Sequence, residues 1–435
     1  MSFKETELGK IPLYWDVAKL GDVADVLSGF AFKSKDFVDS GVPVIKIKNI
    51  VPPYVTTDDT VYVSQELYEL SEKYQLNYND ILISMTGSNY NQLSSAVGKV
   101  GRVRLKDKPM LLNQRVGKIL TNEKKCNKEF LYYNISTMET RYRLALSAGG
   151  SANQANVSPK QIKSLLIPYP PLEEQKVIAH ILSTLDEKIE VNNQINKTLE
   201  NMAQAIFKQW FVDFEFPNEE GEPYKSSGGE MVESELGMIP KGWEVGKLDD
   251  IATIVMGQSP KGTSYNEVGE GEVFYQGRTD FSSRFPIRRL FTTEPKRMAN
   301  DGDVLMSVRA PVGDLNVANE RCCIGRGLSA ISSSADLSSY ILYVMHDLRE
   351  RLNVYNGEGT VFGSINQKDL KSIKVISSCD NKTEIAFDDL IQPIDRMIRN
   401  NEDETRRLIN LRDRLLPKLL SGEIRVPLDE EGDVS

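Results

Sequence analysis

Hydrophobic residues recur at alternating steps of four and three along residues 170–217, which contain no glycine and no proline between Pro171 and Pro217. The apolar seam of this stretch consists of Ile178, Leu182, Leu185, Ile189, Asn192, Asn196, Leu199, Ala203, Ile206 and Trp210. Such spacing is typical of a helix in a coiled coil. A helix of this length would extend roughly 60 Å, which is more than one compact domain needs. The pattern therefore predicts a second helix lying along the first.

A second stretch, residues 381–426, repeats the same seam under a constant shift of 209 residues. Its seam positions are Phe387, Ile391, Ile394, Ile398, Asn401, Thr405, Leu408, Arg412, Leu415 and Leu419. Asn192 and Asn401 occupy matching places near the middle of the two seams, so an antiparallel pairing would bring them together. A buried Asn pair costs stability but fixes register. The alternative is that each helix caps a separate globular unit.

The segments before the two helices are also repeated. Residues 7–29 and 235–257 are identical at twelve of twenty-three positions, including Trp15 and Trp243. A repeat longer than two hundred residues indicates a duplicated domain and not a solenoid. The predicted organisation is a first domain at 1–169, a helix at 170–217, an acidic linker at 218–234, a second domain at 235–380, a second helix at 381–426 and an acidic tail at 427–435.

Within each globular half, strands are the most evident elements. Residues 42–50 alternate apolar side chains with Lys46 and Lys48, as a half-buried strand does. Residues 80–85 and 97–105 read similarly, and the latter presents Lys99, Arg102 and Arg104. Helical periodicity marks 128–146 and 337–352. The fold class expected is α+β, with two strand-rich α/β domains joined by an antiparallel, pseudo-twofold pair of helices.

Composition limits the possible functions. The net charge is −9, but residues 215–235 carry seven Glu against one Lys and the tail adds four acidic residues. The rest of the chain is close to neutral, so global charge neither supports nor excludes DNA binding. The four cysteines form no C-x-x-C pair, and only two histidines are present, so no metal site is expected. The start MSFKETELGK lacks the apolar core of a signal peptide, and a cytoplasmic location is expected.

Catalysis by the chain alone is not expected. The sequence Val51-Pro52-Pro53-Tyr54 is similar to the [DN]PPY motif of amino-methyltransferases, but Val51 has no acceptor for the target amine. No glycine-rich fingerprint for a methyl donor accompanies it. We therefore predict neither catalytic, cofactor nor metal-binding residues in this chain.

The order of elements resembles a known family. An I-P-x-x-W start, the motif running from Pro170-Pro171-Leu172-Glu173-Glu174-Gln175 to Leu185-Asp186, a second such domain and a second helix resemble the DNA specificity subunit of type I restriction-modification systems. The resemblance covers nearly the whole chain. The second helix departs from the pattern because it lacks the PPLxEQ start and carries Pro393 and Pro417, which disfavour an unbroken helix.

The resemblance implies the function and the partners. Each domain would be a target recognition domain that reads one half of a bipartite site in double-stranded DNA, and the helix pair would set the spacer between the halves. Two modification subunits with S-adenosylmethionine and restriction subunits with ATP and Mg²⁺ would supply the chemistry. The outer face of the first helix, with Glu187, Lys188, Lys197 and Lys208, is a candidate docking surface for modification subunits, and a plain solvated face is the alternative.

Base reading requires Arg, Lys, Asn or Gln on loops or strand ends. The candidates are Lys33, Lys35, Lys46, Lys48, Asn49, Gln114, Arg115, Ser151, Asn153 and Gln154 in the first half, and Gln258, Ser259, Lys261, Gln276, Arg278, Arg309 and Arg326 in the second. Arg115 and Arg326 lie in similar sequence surroundings. Two other functions stay open at this point: a self-contained methyltransferase or nuclease with an unrecognised site, and a structural coiled-coil adaptor.

Overall fold

The computed structural model describes residues 2–88, 97–151, 154–356 and 363–427. Contacts divide the chain into two units, 1–190 with 405–435 and 191–404. Each unit therefore contains one globular half and a part of each long helix. No helix among the described residues is long and apolar enough to cross a membrane.

The first unit contains short strands, short helices and the beginning of a long helix. Its strands are β1 (Phe3–Thr6), β2 (Gly9–Pro12), β3 (Asp16–Lys19), β4 (Ala24–Ser28), β5 (Phe37–Val38), β6 (Val42–Ile45), β7 (Ile50–Val51), β8 (Tyr54–Val55), β9 (Val61–Val63), β10 (Ile81–Ser84), β11 (Thr86–Gly87), β12 (Val100–Arg102), β13 (Leu111–Leu112), β14 (Val116–Thr121), β15 (Gly149–Ser151), β16 (Gln154–Asn156) and β17 (Leu166–Tyr169). Its helices are α1 (Leu20–Val23), α2 (Gln65–Leu70), α3 (Lys128–Ile135), α4 (Met138–Ser147), α5 (Pro159–Lys163) and the start of α6 (Leu172–Phe207). Three 3₁₀ turns lie at Ser34–Asp36, Ile47–Asn49 and Glu72–Tyr74.

The second unit has the same kinds of element. Its strands are β18 (Met231–Ser234), β19 (Gly237–Pro240), β20 (Trp243–Lys247), β21 (Ala252–Met256), β22 (Tyr265–Asn266), β23 (Glu272–Tyr275), β24 (Leu290–Thr292), β25 (Met298–Ala299), β26 (Val304–Ser307), β27 (Leu315–Val317), β28 (Cys322–Ile324), β29 (Leu328–Ser333) and β30 (Lys374–Ser378). Its helices are α7 (Leu248–Ile251), α8 (Ser338–Asp347), α9 (Arg349–Leu352), α10 (Gln367–Lys371) and most of α11 (Lys382–Leu420). A π-helical turn, Lys208–Val212, follows α6, and 3₁₀ turns lie at Gly262–Ser264, Arg278–Asp280 and Asn353–Asn356.

The two globular halves share one sheet topology. The order β4-β14-β10-β12 in the first unit corresponds to β21-β29-β26-β27 in the second. A second sheet, β13-β6-β9-β5, corresponds to β28-β23-β24-β22, and in both units one pair of this sheet is parallel while the other pairs are antiparallel. The sequence repeat therefore extends through these eight strands of each half.

The start of α6 is fixed by two buried polar residues of its first turn. The indole N–H of Trp15 donates to Glu174 at 3.0 Å, and the amide of Gln175 donates to the Pro170 carbonyl at 2.9 Å. Gln175 also accepts from the backbone N–H of Asn127 at 3.0 Å. These contacts tie the helix to the repeated Trp segment and to the loop before α3. The PPLEEQ sequence is thus both a helix start and an anchor for the globular half.

Each unit pairs a part of α6 with a part of α11. In the first unit, Ile178 and Leu182 share a core with Leu419 of α11. In the second, Phe207 contacts Phe387 with ring centroids 5.6 Å apart, whereas Asn192 bonds Glu404. Numbers rise along one helix as they fall along the other, so the helices are antiparallel. The predicted architecture of two strand-rich domains with an antiparallel helix pair is confirmed.

Several local predictions differ from the structure: the helix at 337–352 is divided into α8 and α9, and the strand at 97–105 is limited to β12. Three other points have a physical reason. The expected strand at 42–50 ends at Ile45, because the Asn49 side chain accepts from the Lys46 N–H at 3.0 Å and closes a 3₁₀ turn. The helix expected at 128–146 is divided, because Thr137 caps the start of α4 through the Thr140 N–H. The sequence predicted that Pro393 and Pro417 would disfavour an unbroken second helix, but α11 continues through both residues.

Candidate nucleic-acid interface

Three candidate segments of the first unit meet at one end of the sheets. The N–H of Phe30 donates to the Leu112 carbonyl at 2.9 Å, and the N–H of Asn113 donates to Ile45 at 3.1 Å. The N–H of Gln114 in turn donates to the Phe30 carbonyl at 2.9 Å. The loops after β4, after β6 and between β13 and β14 are therefore fastened to one another through backbone atoms.

The hairpin β15–β16 joins the same region. Strand β16 pairs with β11, and the N–H of Met85 donates to the Arg115 carbonyl at 2.9 Å. The guanidinium of Arg115 lies 3.5 Å from the Asn156 side-chain oxygen. Ser151 and Gln154 belong to this hairpin, but their side chains, like the whole of Asn153, lie outside the described residues. The four candidate segments of the first unit are thus neighbours.

Their side chains are not equally accessible. Lys33, Lys35, Gln114 and Arg115 are exposed. Lys46 is half-buried, with its ammonium 4.6 Å from the centre of the Phe37 ring. Exposed Lys48 forms an ion pair of 2.5 Å with Asp59.

Asn49 differs from these residues. It is fully buried, and its amide donates to the Asp58 carbonyl at 3.0 Å while its oxygen caps the 3₁₀ turn. Both ends of the side chain are therefore used inside the protein. We leave Asn49 out of the proposed contact surface.

In the second unit the corresponding segments converge in the same way. The N–H of Gln258 donates to Ile324 at 3.0 Å, and the N–H of Gly325 donates to Tyr275 at 2.8 Å. The N–H of Arg326 donates to the Ser259 hydroxyl at 3.2 Å. The loops after β21, after β23 and between β28 and β29 therefore form one surface.

Most candidates of the second unit are accessible. Gln258, Lys261, Gln276, Arg309 and Arg326 are exposed, and Ser259 is half-buried. Arg309 approaches the others because the N–H of the preceding residue, Val308, donates to the Gly327 carbonyl at 3.0 Å.

Arg278 is exposed but ion-paired. Its guanidinium contacts Asp314, which also accepts from Arg349 at 2.7 Å. A base contact by Arg278 would therefore compete with an existing ion pair.

The backbone contacts give an exact correspondence between the two loop systems. Phe30 bonds Leu112 as Gln258 bonds Ile324, and Gly29 bonds Val116 as Gly257 bonds Leu328. Counting along the loops from these pairs, Gln114 corresponds to Arg326. The sequence comparison had placed Arg115 in the surroundings of Arg326, which is one residue out of register.

In both units a glycine directly follows the strand, β4 or β21, because the backbone of another loop approaches closely there. A Cβ added at Gly29 would lie 2.3 Å from the Asn113 carbonyl oxygen, and one added at Gly257 would lie 2.2 Å from that of Gly325. Real Cβ atoms do not approach backbone oxygen so closely. Any other residue would force the two loops apart.

One basic residue beside this surface was missed from the sequence. Asp280 accepts from the N–H of Gln276 at 2.6 Å, and its other oxygen accepts from Arg289 at 2.7 Å. Arg289 is about half exposed, and its bonds to Asp280 raise its pKa above the ordinary value. The adjacent pair Arg288-Arg289 was the available signal, but only the fold places it next to Gln276.

The mid-seam asparagines lie at the helix crossing in the second unit. The Asn192 amide donates to Glu404 at 2.8 Å and lies 3.5 Å from the Asn401 carbonyl oxygen. The Asn401 amide donates to Asn196 at 2.9 Å. The two residues approach one another, but through a backbone oxygen and neighbouring side chains rather than as an amide pair.

Two of the buried thiols are unreactive. Burial raises the pKa of the Cys126 thiol to about 12 and that of Cys322 to about 12, so neither is a thiolate at neutral pH. Across the described ranges, no three His, Cys, Asp or Glu side chains are grouped to hold a metal ion.

Comparison with known proteins shows that the two halves, with their related loop surfaces, match the same family model. The family model of the type I restriction modification DNA specificity domain matches residues 12–201 and 240–390, which covers both halves. The chain belongs to this family. It is therefore a DNA-recognition subunit without catalytic activity of its own, and the alternatives of a self-contained enzyme and a structural adaptor are set aside.

Its relatives in this family match over almost the full chain. The MjaX type I restriction enzyme specificity subunit of Methanocaldococcus jannaschii is 33% identical over 432 residues, covering 98% of this chain and 97% of that protein. The EcoBI specificity subunit of Escherichia coli is 24% identical over 438 residues, covering 94% and 86%. The crystal structure of an S subunit from M. genitalium has the same fold, with a TM-score of 0.58, 18% identity and coverage of 97% and 99%.

Proposed function

We propose that this specificity subunit reads a bipartite site in double-stranded DNA, with residues 1–169 reading one half and 235–380 the other. The observation that carries the proposal is the shared loop junction. Both units fasten three loops through the same backbone bonds, yet present different side chains there, such as Gln114 in one and Arg326 in the other. Arg and Gln bond different base edges, so two such surfaces suit two different half-sites.

In this proposal the long helices set the unread spacer. α6 has 36 residues and α11 has 39, so each is roughly 55 Å long. This length exceeds one turn of B-DNA, about 34 Å. The antiparallel pairing of two repeated helices also suits half-sites that are met in opposite strand directions.

Two modification subunits that use S-adenosylmethionine, and restriction subunits that use ATP and Mg²⁺, are the proposed partners. The candidate docking residues Glu187, Lys188, Lys197 and Lys208 are exposed on or just beyond α6, although Lys208 also pairs with Asp213 at 2.6 Å. Methyl transfer and cleavage are assigned to these partners and not to this chain.

The exposed apolar residues of the helices support this docking surface. Met202 of α6 and Leu411 of α11 are related by the 209-residue shift and are about half exposed. Both follow an exposed asparagine, Asn201 and Asn410. Matching exposed apolar positions on two repeated helices suit two copies of one partner.

Reconstitution with the modification subunits tests the function. The complex should retain one DNA sequence, and sequencing of methylated sites should give two short specific parts separated by unspecified bases. The isolated chain should not bind S-adenosylmethionine. A continuous methylated sequence, or binding of S-adenosylmethionine by this chain alone, would contradict the proposal.

A further inference from the structure

A cluster of charged residues lies buried where the first unit contacts both long helices. Its centre is Asp186 of α6, which is 4% exposed. The carboxylate accepts from Arg102 of β12 at 2.8 Å, from the Tyr133 hydroxyl of α3 at 2.7 Å and from Arg412 of α11 at 2.8 Å. One carboxylate thus joins the sheet, the helix packed on it and both long helices.

Arg102 has contacts with two carboxylates and an aromatic ring. Its side chain is fully buried, forms a second ion pair with Glu129 and lies 4.0 Å from the centre of the Tyr132 ring. Its backbone N–H donates to the Pro53 carbonyl at 3.0 Å. The Val51-Pro52-Pro53-Tyr54 segment, which is similar to a methyltransferase motif, therefore serves here as a turn that supports this arginine.

The second unit contains a comparable cluster around an aspartate and a buried arginine. Asp395 of α11 accepts from Arg284, from the Ser339 hydroxyl at 2.6 Å and from the Tyr343 hydroxyl at 3.1 Å. The Arg284 side chain is 6% exposed, and its other nitrogen lies 3.7 Å from Glu200 of α6. A buried arginine of the globular half again contacts both long helices.

The two clusters stand at equivalent places but are built differently. Asp186 and Asp395 are related by the 209-residue shift of the helices, and both accept from a tyrosine of the corresponding helix, α3 or α8. The arginines are not equivalent in sequence: Arg102 ends β12, whereas Arg284 lies in a loop and accepts from Val317 of the corresponding strand, β27, at 2.9 Å. A strand residue in the first unit and a loop residue in the second unit therefore place a guanidinium beside equivalent aspartates.

A buried guanidinium favours one geometry. Its planar fork and the rings beside it define the angle of approach, and leaving it without its carboxylate in a desolvated place is costly. A shift of the domain on its helices would break these buried hydrogen bonds and leave polar groups without partners. The cluster therefore selects one orientation of the globular half on its helices.

We propose that Asp186 and Asp395 are positioning residues for DNA reading, each holding its recognition domain at the angle at which the loops meet the base pairs. The inference rests on the proposed function, because it assigns one half-site to each carboxylate. Neither residue contacts DNA in this proposal. Each acts through the domain that it fixes.

The test uses the complete complex with modification subunits and sequencing of methylated sites. The variants Asp186→Asn and Asp395→Asn keep the side-chain shape and remove the charge. Glu173→Gln and Asp389→Asn, exposed on the same two helices, are the matched controls. The measured quantity is methylation at sites with one altered base, relative to the intact site, scored separately for each half.

Each carboxylate variant should raise methylation of altered sites in one half by on the order of tenfold and leave the other half unchanged. The two variants should relax opposite halves, and the controls should relax neither. Uniform loss of methylation with unchanged discrimination would show that the carboxylates only stabilise the fold, and relaxation of both halves by one variant would also overturn the proposal. If the unaltered complex shows no two-part site, the proposed function fails instead.

A milder pair of variants covers the case in which an Asp variant does not fold. Arg412→Gln removes the ion pair from α11 to Asp186, together with the contact of Arg412 to its neighbour Asp413, and Glu200→Gln removes the ion pair from α6 to Arg284. Each keeps the main arginine–aspartate pair. A smaller relaxation of the same half-site is expected from each, and no change in discrimination from either would overturn the proposal.

Discussion

The side-chain amide of Asn401 donates a 2.9 Å hydrogen bond to the side-chain oxygen of Asn196, across the antiparallel helices of the second unit. Asn196 is 6% exposed, so its oxygen has little access to water. A buried acceptor that loses its donor costs the free energy of desolvation. The polar positions of the seam are therefore expected to matter for stability and not only for register.

The variant Asn401→Ala should lower the free energy of unfolding of the full chain by about 1–3 kcal/mol, because the Asn196 oxygen loses its partner. Urea unfolding followed by circular dichroism measures this change. Asn410→Ala on the exposed face of the same helix is the control and should change stability by about 0.5 kcal/mol or less. Equal effects of the two variants would show that the crossing contact contributes nothing.

The buried His346 gives the second unit a pH dependence. Burial, with the nearby charges of Arg284 and Arg349, lowers the pKa of His346 to about 4. The unfolded chain takes up this proton below about pH 6.5, but the folded chain does not. The contribution of His346 to the free energy of unfolding should therefore be fully present above about pH 6.5 and should be lost as the pH is lowered toward 4. The full loss is on the order of 3 kcal/mol.

Thermal unfolding between pH 7 and pH 5 checks this dependence. His346→Gln removes the titrating group, so the loss of stability on acidification should be smaller than in the unaltered chain. His180→Gln changes the other histidine, which is exposed on α6, and should leave the slope as it was. The opposite outcome, with His180→Gln flattening the slope, would exclude His346 as its source.

The structural correspondence of Gln114 and Arg326 predicts matched effects on base reading. Gln114→Ala and Arg326→Ala should each relax one base position, in different half-sites, by about 1–3 kcal/mol. Lys33 is a candidate base reader by sequence, but its exposed ammonium is a point charge without bidentate geometry. Lys33→Ala should therefore weaken all sequences alike and reduce the salt dependence of binding. Selection from a randomised DNA pool distinguishes these effects. Relaxation by Arg115→Ala in place of Gln114→Ala would restore the alignment suggested by the sequence.

The helix pair predicts a change of spacer. Seven residues inserted after Asn193 and after Glu402, in helical register, should lengthen the unread spacer by about three base pairs, since each heptad adds about 10 Å. The same insertion in one helix alone should disrupt the pairing and lower stability. An unchanged spacer in the double insertion would refute the role of the helices as a ruler.

The long-range plan could be predicted from the sequence because the same seam occurs twice. Ten matching positions under one shift indicated a helix pair without knowledge of any contact. The sequence did not establish whether the second helix continues through Pro393. This proline lies on the exposed face, and the helix continues through it because Ile391 and Ile398 on either side are fully buried. Packing of these neighbours outweighs the cost of the lost hydrogen bond.

The positioning cluster could not be predicted in the same way. Arg102 was interpreted as part of the polar face of a strand, but it is fully buried. Periodicity shows that a residue alternates with apolar neighbours, but it does not show which side chains of other elements pack against that residue. Asp186, Tyr133 and Arg412 come from three other elements, and only the packed structure brings them to the guanidinium.

The close approach at Gly29 and Gly257 has a consequence for how such a protein changes its target. Apart from the Ser259 hydroxyl, which accepts from the Arg326 N–H, backbone atoms make the bonds that join the loops. The other exposed side chains that follow each glycine can therefore be exchanged without altering these bonds. The glycine itself has no acceptable substitute, because a Cβ there would collide with a carbonyl oxygen. If these loops read the bases as proposed, new target sequences arise by substitution at the loop tips, while the backbone bonds beneath them stay constant.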